Sequence, residues 1–178
     1  MTFETLHSEI TYRGRAFAVR RDRVRLPNGN ETHLDIVEHS GAVTLLPIDA
    51  QARVWFVRQY RHPAELELLE LPAGTLEPDE PPKVCARREI REEIGMAAGR
   101  LQKLGSFFLA PGYSTEFMHV FLATDLSPAP LPGDVNEILH VERLPLDEVY
   151  QMAEKGRIQD AKTLAALLLA RPHLQSLI

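Results

Sequence analysis

Three glutamates, Glu89, Glu92 and Glu93, stand at positions i, i+3 and i+4 of a segment with a helical pattern. At this spacing the side chains project from neighbouring turns on one side of a helix. Three carboxylates so close together repel one another, and a hard divalent cation such as Mg²⁺ would hold them, because it takes carboxylate and phosphate oxygens as ligands. The alternative is a solvated acidic helix face balanced by the arginines of the same segment. The cluster alone leaves both interpretations open.

Composition limits the classes of protein to consider. The chain has 178 residues, of which 44% are hydrophobic, so it is long enough for one domain with a real core. Its 25 acidic and 20 basic residues give a net charge of −5, which argues against nucleic-acid and anionic-membrane partners. Cys85 is the only cysteine, so no intramolecular disulfide can form. The first residues do not have a secretory pattern, and we expect a soluble, cytoplasmic protein.

Strands surround the acidic segment on both sides in the sequence. The hydrophobic pattern predicts them at 16–26, 32–38, 41–48, 54–57, 66–71, 101–109, 116–123 and 139–144. Residues 41–48 and 54–57 flank a short polar stretch, so they are predicted to form a buried hairpin with Arg58 and Arg61 at its strand end.

Three helices complete the prediction. The first runs from about Pro82 to Ile94, with Ala86, Ile90 and Ile94 on its buried face and Gly95 as its stop signal. The second runs from Leu146 to Gly156. Asp160 caps the third, which we expect to pack against the sheet through Leu164, Leu167 and Leu168.

The spacing around the three glutamates resembles the complete motif of the Nudix hydrolase family. The matching residues are Gly74, Glu80, Arg88, Glu89, Ile90, Glu92, Glu93, Gly95 and Met96. The resemblance implies an α/β fold, with an α/β/α sandwich around a mixed β-sheet and an additional amino-terminal antiparallel sheet. Residues 1–40 would form amino-terminal strands for dimerisation, and 41–178 the Nudix domain with its motif at 74–96.

The resemblance also implies a set of metal ligands. The carbonyl of Ala73 with Glu89 and Glu93 would bind the first metal, and Glu92 with Glu77 would support others. The metal would be Mg²⁺, with Mn²⁺ as an alternative. Gly74 would permit a tight loop close to a phosphate or metal. Arg88 is predicted to pair with Glu92 and orient it, and Glu80 to have a structural role.

Outside the motif the chain resembles the ADP-ribose pyrophosphatase branch of the family, through residues 57–61, 70–74 and Pro111. The resemblance implies that Arg61, and secondly Arg58, contact the pyrophosphate, whose oxygens match a guanidinium fork. Further substrate contacts would come from Asp35 on the adenine, and from Gly112 and Glu116 on the terminal ribose side. Leu34 departs from the polar or stacking group usual in this branch, which leaves base specificity open.

The general base is expected in the loop before the last strand. Glu137 is the candidate, Asp134 the reserve, and Glu92 could serve instead. Gly133 would act as a hinge for this loop.

The sequence therefore predicts a Mg²⁺-dependent hydrolase that splits ADP-ribose, or a related nucleoside diphosphate sugar, into AMP and ribose 5-phosphate. The alternatives are hydrolysis of FAD, NADH or another sugar nucleotide, or a non-catalytic nucleotide-binding module. We expect a homodimer in which the amino-terminal strands cross between subunits, since Phe17, Val19, Ile36 and Val37 add apolar groups there.

Overall fold

The computed structural model describes residues 2–174, which form two compact units. One unit contains the chain up to Gly41 together with Phe107–Phe117, and the other contains Ala42–Ser106 and the chain from Met118 onward. The strands are β1 (Glu4–Arg13), β2 (Ala18–Arg25), β3 (Glu31–Glu38), β4 (Ala42–Pro47), β5 (Arg53–Arg61), β6 (Leu66–Glu70), β7 (Ala73–Thr75), β8 (Met96–Phe108), β9 (Phe117–Pro128) and β10 (Leu139–Pro145). The helices are α1 (Pro82–Glu93), α2 (Leu146–Glu154) and α3 (Ala161–Ala170).

The first unit is built on an antiparallel sheet of order β1-β2-β3. Its β2–β3 turn lies between the predicted strands 16–26 and 32–38, and Gly29 has φ +87° there. Strand β1 was not predicted separately. The backbone of Val37, near the end of β3, bonds to Tyr113 and Thr115, so residues 107–117 complete this unit.

The second unit contains a mixed sheet of order β7-β4-β9-β8, in which β4 and β9 are parallel, and an antiparallel sheet of order β10-β5-β6. The predicted apolar face of α1 is buried, with Ala86 and Ile90 at 0% exposure and Ile94 at 6%. This face joins Cys85 in a core cluster with residues of β4, β5 and β9. Burial raises the pKa of the Cys85 thiol, in agreement with a packing role.

The predicted hairpin of 41–48 and 54–57 is wrong. Strand β4 lies in the mixed sheet and β5 in the other sheet, and a single bridge between Ile48 and Val54 links them. The side chain of Asp49 accepts hydrogen bonds from the amides of Gln51 and Arg53 and from the indole nitrogen of Trp55. These bonds satisfy the backbone of the turn, so the chain passes from one sheet to the other there.

The predicted packing face of α3 is also wrong in part. Leu167 is buried, but Leu164 is 38% and Leu168 71% exposed. The hydroxyl of Thr163 accepts a hydrogen bond from the amide of Leu71 at 2.9 Å, which fixes the rotation of the helix. At about 100° per residue, Leu164 and Leu168 then lie roughly 100° and 140° from Thr163, outside the buried stripe.

No helix within residues 2–174 is both long enough and apolar enough to span a membrane.

Candidate active site

Helix α1 carries the acidic cluster in the predicted orientation. Pro82 occupies its first turn, where the missing amide proton costs nothing, and Gly95 at φ +70° follows its end. Between these limits Glu89 is buried at 8% exposure, and Glu92 and Glu93 are half-buried. The helix therefore presents the three carboxylates close together on one side.

Gly74 serves a different purpose from the predicted tight loop. It lies in β7, opposite Val43 of β4, and its φ is not positive. A Cβ atom at this position would stand 1.8 Å from Oε1 of Glu89, a separation that atoms cannot adopt. Glycine thus leaves room for the carboxylate of Glu89 in this position, and a larger residue would displace it.

Arg88 connects the acids of the motif. Its guanidinium donates to Glu80 through Nε at 3.0 Å and Nη2 at 2.9 Å, and to Glu89 at 2.6 Å. The predicted pair with Glu92 is present at 2.9 Å. The hydrogen bond that Arg88 donates to Glu80 is the largest influence that raises the pKa of Arg88, so this cation stays charged between the acids.

Glu93 is held differently from its neighbours. Burial and the charge of Glu89 raise the pKa of Glu93 to about 8, although its carboxylate accepts a hydrogen bond from the amide of Ala73 at 3.0 Å. Burial likewise raises the pKa of Glu89. Both carboxylates are destabilised as anions, which is the electrostatic condition that a bound cation would relieve.

The chemistry of these donors suits a hard divalent cation, although they are not gathered around one point. Among residues 2–174 no group of three or more His, Cys, Asp or Glu side chains is arranged to hold a metal. Glu89 and Glu92 are bound to Arg88, and Glu93 to Ala73. Glu77 is exposed; its amide donates to the carboxylate of Glu80 at 3.1 Å, and its carbonyl accepts from the amide of Glu80 at 3.0 Å. Metal binding therefore requires these side chains to exchange partners.

A second charged cluster, not predicted from the sequence, lies around Glu70. This carboxylate is 1% exposed and accepts from Nε and Nη2 of Arg61, both at 2.7 Å, and from Lys162. Burial would raise the pKa of Glu70, but Arg61 and Lys162 outweigh it and lower that pKa. Lys162 also donates to Asp160 at 3.0 Å. The charge of Lys162 partly offsets the raised pKa of Glu93, so this cluster adjoins the acids of α1.

The sequence contained one signal for this cluster. Glu70 falls in segment 70–74, which resembles the family, but the resemblance implies no role for Glu70 or for Lys162. Their contact joins positions 92 residues apart, which no local spacing rule detects.

Arg58 lies inside β5, three residues before its end, so its predicted place at the strand end is wrong. Its guanidinium pairs with Glu142 of the adjacent strand β10, with Nη2 3.1 Å from Oε2. Arg61 does end the strand. Its Nη1 makes no hydrogen bond within residues 2–174, whereas Nε and Nη2 are held by Glu70.

The loop that carries Glu137 is fastened to the end of α1. The amide of Leu131 donates to the carbonyl of Arg91 at 3.1 Å, and the amide of Ala129 donates to that of Gly95 at 2.9 Å. Glu137 is exposed, and its charge raises the pKa of both Glu89 and Glu93, so it acts on the acidic cluster.

Asp134, the reserve candidate for the base, accepts hydrogen bonds from the amide and side chain of Asn136 at 2.9 and 2.8 Å. Its carboxylate therefore shapes the loop itself.

The remaining predicted site residues belong to the first unit. Asp35 of β3 is exposed and accepts from Arg21 at 2.8 Å. Gly112 lies in an exposed turn, where a Cβ would meet nothing within 4 Å. Glu116 is half-buried, and its amide donates to Ser114 Oγ at 3.1 Å.

Comparison with known proteins agrees with this geometry. The NUDIX domain model matches residues 38–167, and the model of the nucleoside diphosphate sugar hydrolase N-terminal domain matches residues 3–32. The chain thus belongs to the Nudix family, as the motif predicted.

Individual relatives cover most of the chain. The ADP-ribose pyrophosphatase of Bacillus subtilis is 35% identical over 92% of this chain and 90% of its own length. The ADP-ribose pyrophosphatase of Mycobacterium tuberculosis is 38% identical over 93% of this chain and 82% of its own. A crystal structure of an ADP compounds hydrolase is 29% identical, with a TM-score of 0.87 over 99% of this chain and 96% of that one. This likeness confirms the predicted fold class.

Proposed function

We propose that the chain is a Mg²⁺-dependent enzyme that hydrolyses the pyrophosphate bond of ADP-ribose, or of a related nucleoside diphosphate sugar. With ADP-ribose, water attacks one phosphorus and the products are AMP and ribose 5-phosphate. The observation that carries the proposal is that Glu89, Glu92 and Glu93 share one side of α1 and that the carboxylate of Glu89 packs against Gly74, in a chain whose named relatives hydrolyse such compounds.

The acids of α1 are the proposed metal ligands, with the carbonyl of Ala73 and, at the periphery, Glu77. A bound divalent cation would supply charge neutralisation at the diphosphate and acidify a water molecule. Before a cation binds, Arg88 orients Glu92 and Glu89 through hydrogen bonds of 2.9 and 2.6 Å. Mn²⁺ would suit the same oxygen donors.

Arg61 is the proposed contact to the diphosphate. Glu70 holds two of its nitrogens, which sets the plane of the guanidinium and leaves Nη1 to donate to a phosphate oxygen. Glu142 engages Arg58 in the same way, through Nε and Nη2. Arg58 is the weaker candidate because the charge of Arg61 interacts with Glu93 of α1, whereas that of Arg58 interacts with Glu142 and Glu67.

Glu137 is the proposed general base, which takes the proton of the attacking water. Its carboxylate makes no hydrogen bond to any residue of the described range 2–174, and its charge already acts on Glu89 and Glu93. Glu137→Gln should lower kcat at least tenfold and leave KM for ADP-ribose nearly unchanged, because the base touches water and no ground-state substrate group. Full activity of this variant would contradict this assignment, and Glu92 or Asp134 would then be the candidate base.

Substrate arms are proposed to contact residues of the first unit. Asp35 would accept from the adenine amine, and Gly112 and Glu116 would border the terminal ribose. Glu116→Gln should raise KM for ADP-ribose more than for substrates whose second arm lacks that ribose. An equal change in KM for all substrates would contradict this role.

The decisive experiment is a substrate panel assayed with Mg²⁺ for phosphate-containing products. We expect ADP-ribose to lead FAD, NADH, ADP-glucose and GDP-mannose, with a modest margin because Leu34 offers the base no polar contact. Rapid turnover of another compound with little turnover of ADP-ribose would contradict the assignment to the ADP-ribose pyrophosphatase branch but would still agree with pyrophosphatase activity. Binding of nucleotides without any hydrolysis would favour the non-catalytic module.

Glu93→Gln should lower kcat a hundredfold or more.

We also propose that residues 1–40 form the dimerisation sheet. Support comes from large apolar side chains that are exposed in this unit, namely Phe3 at 55%, Tyr12 at 57% and Phe17 at 44%. Light scattering at micromolar concentration should give twice the chain mass. An active monomer would rule the dimer out.

A further inference from the structure

The sheet of β1, β2 and β3 carries three cross-strand rows of charged side chains on one face. Each row has an arginine of β2 at its centre, with one residue of β1 and one of β3 beside it. The rows are Glu4–Arg25–Glu31, His7–Arg23–His33 and Glu9–Arg21–Asp35. Because alternate residues of a strand point to the same face, the three arginines share one surface, and all three are exposed.

The two outer rows are neutralised by ion pairs. Arg25 donates to Glu4 at 2.7 Å and to Glu31 at 3.0 Å. Arg21 donates to Asp35 at 2.8 Å, and the charge of Glu9 also acts on it. Each outer arginine therefore has an acid on both sides.

The central row lacks such compensation. Arg23 has an imidazole on each side, His7 on β1 and His33 on β3, where the outer rows have carboxylates. Within residues 2–174 its guanidinium has no hydrogen-bond or ion-pair partner. The acids of the next row face the histidines: Glu9 lies 4.0 Å from Nε2 of His7, and Asp35 interacts with His33 while bound to Arg21.

An open pocket covers this row. Its volume is about 310 Å³, and its lining consists of His7, Glu9, Arg21, Arg23 and His33. This space accommodates a tetrahedral oxyanion and part of an attached ester group. The row thus combines an unused cation, two further N–H donors and room for a ligand.

We propose that His7, Arg23 and His33 form a binding site for a phosphate-type dianion on the exposed face of the amino-terminal sheet. A guanidinium presents parallel N–H donors that match two oxygens of such an anion, and an imidazole adds a donor on either side. The site is exposed and screened by salt, so we expect weak binding. The proposal does not depend on the hydrolytic activity proposed above, although Asp35, the proposed adenine contact, lies in the neighbouring row.

The test is an NMR titration of the full ¹⁵N-labelled chain with sodium sulfate at constant ionic strength, with sodium chloride as the reference salt. Backbone amides of residues 7, 23 and 33 should shift saturably with sulfate only.

The matched variants are Arg23→Gln and Arg25→Gln, which remove the same charge from the same face of β2. Arg23→Gln should weaken sulfate binding at least tenfold, and Arg25→Gln less than threefold. Equal losses in the two variants, or shifts that never saturate, would show diffuse electrostatic attraction and overturn the site. The amide spectrum of each variant also reports whether it remains folded.

Titrations with inorganic phosphate, ribose 5-phosphate and AMP distinguish the sources of the anion, read at the same three amides. Equal affinities would assign the site to the phosphate group alone, and tighter binding of one ester would assign it to that monoester. No perturbation by any of them would overturn the proposal, whether or not the protein hydrolyses ADP-ribose.

Discussion

Removing the charge of Glu93 should change how the stability of the metal-free protein depends on pH. Burial and Glu89 raise the pKa of Glu93 from 4.5 to about 8. Between these values the native state holds a proton that the unfolded chain has released. The free energy of unfolding is therefore at its full value below about pH 4.5 and falls as pH rises towards 8.

The pKa shift sets the size of this effect. At 1.36 kcal/mol per pKa unit the full shift corresponds to roughly 5 kcal/mol. Glu93 is half-buried, so solvent screening reduces the expected loss to about 2–4 kcal/mol. Glu93→Gln removes the ionisation but keeps an oxygen that can accept from the amide of Ala73.

Urea denaturation in the presence of a chelator measures the effect at about pH 5 and about pH 8. The wild type and Glu93→Gln should have similar stability at the lower pH, and the variant should be more stable by about 2–4 kcal/mol at the higher. Glu154→Gln, the same change at an exposed position of α2, should follow the wild type. Mg²⁺ should stabilise the wild type at the higher pH more than Glu93→Gln. Parallel pH dependence of the wild type and Glu93→Gln would refute the reasoning.

Three further substitutions test other parts of the structure. Gly74→Ala places a methyl group 1.8 Å from the present position of Glu89 Oε1, so it should displace that carboxylate. We expect kcat to fall at least a hundredfold and the free energy of unfolding to fall by about 1–3 kcal/mol in a denaturation assay. An unchanged kcat would contradict the steric fit. Lys162→Met leaves the buried Glu70 with one cationic partner and should cost about 2–4 kcal/mol by urea denaturation, against little change for the exposed Lys155→Met. Asp49→Ala removes the acceptor for two amides and an indole and should cost about 2 kcal/mol, and an unaltered urea midpoint would show that water replaces it.

Local patterns predicted those elements whose determinants are close together in the sequence. Helix α1 follows from prolines at its start, Gly95 at its end and an apolar stripe between them, and its bounds differ from the prediction by one residue. The orientation of α3 could not be predicted in this way, because the bond between Thr163 and the amide of Leu71 decides which face is buried. The hairpin prediction failed for a similar reason, since β4 and β5 find their partners elsewhere in the chain.

In the candidate site, too, the features with local determinants were predicted and those that depend on contacts between separate elements were not. Motif spacing predicted the shared side of Glu89, Glu92 and Glu93 and the bond from Arg88 to Glu92. It did not predict the contact of Gly74 with Glu89, because that contact requires the pairing of β7 with β4 beside the helix. The cluster of Arg61, Glu70 and Lys162 joins the paired strands β5 and β6 to α3, 92 residues further along the chain from Glu70, and only the folded chain reveals it.

The attachment of the loop after β9 to α1 has a consequence for how far Glu137 can travel. Bonds from Ala129 and Leu131 tether the first part of residues 129–138 to the helix, and Gly133 lies close to the carbonyl of Glu92. The second part, residues 134–138, ends where β10 begins at Leu139. At about 3.3–3.6 Å of chain per residue, the short length of residues 134–138 limits how far the carboxylate of Glu137 can move from Gly133. Insertions after Gly133 would lengthen that distance, whereas insertions before it would release the tether from the helix.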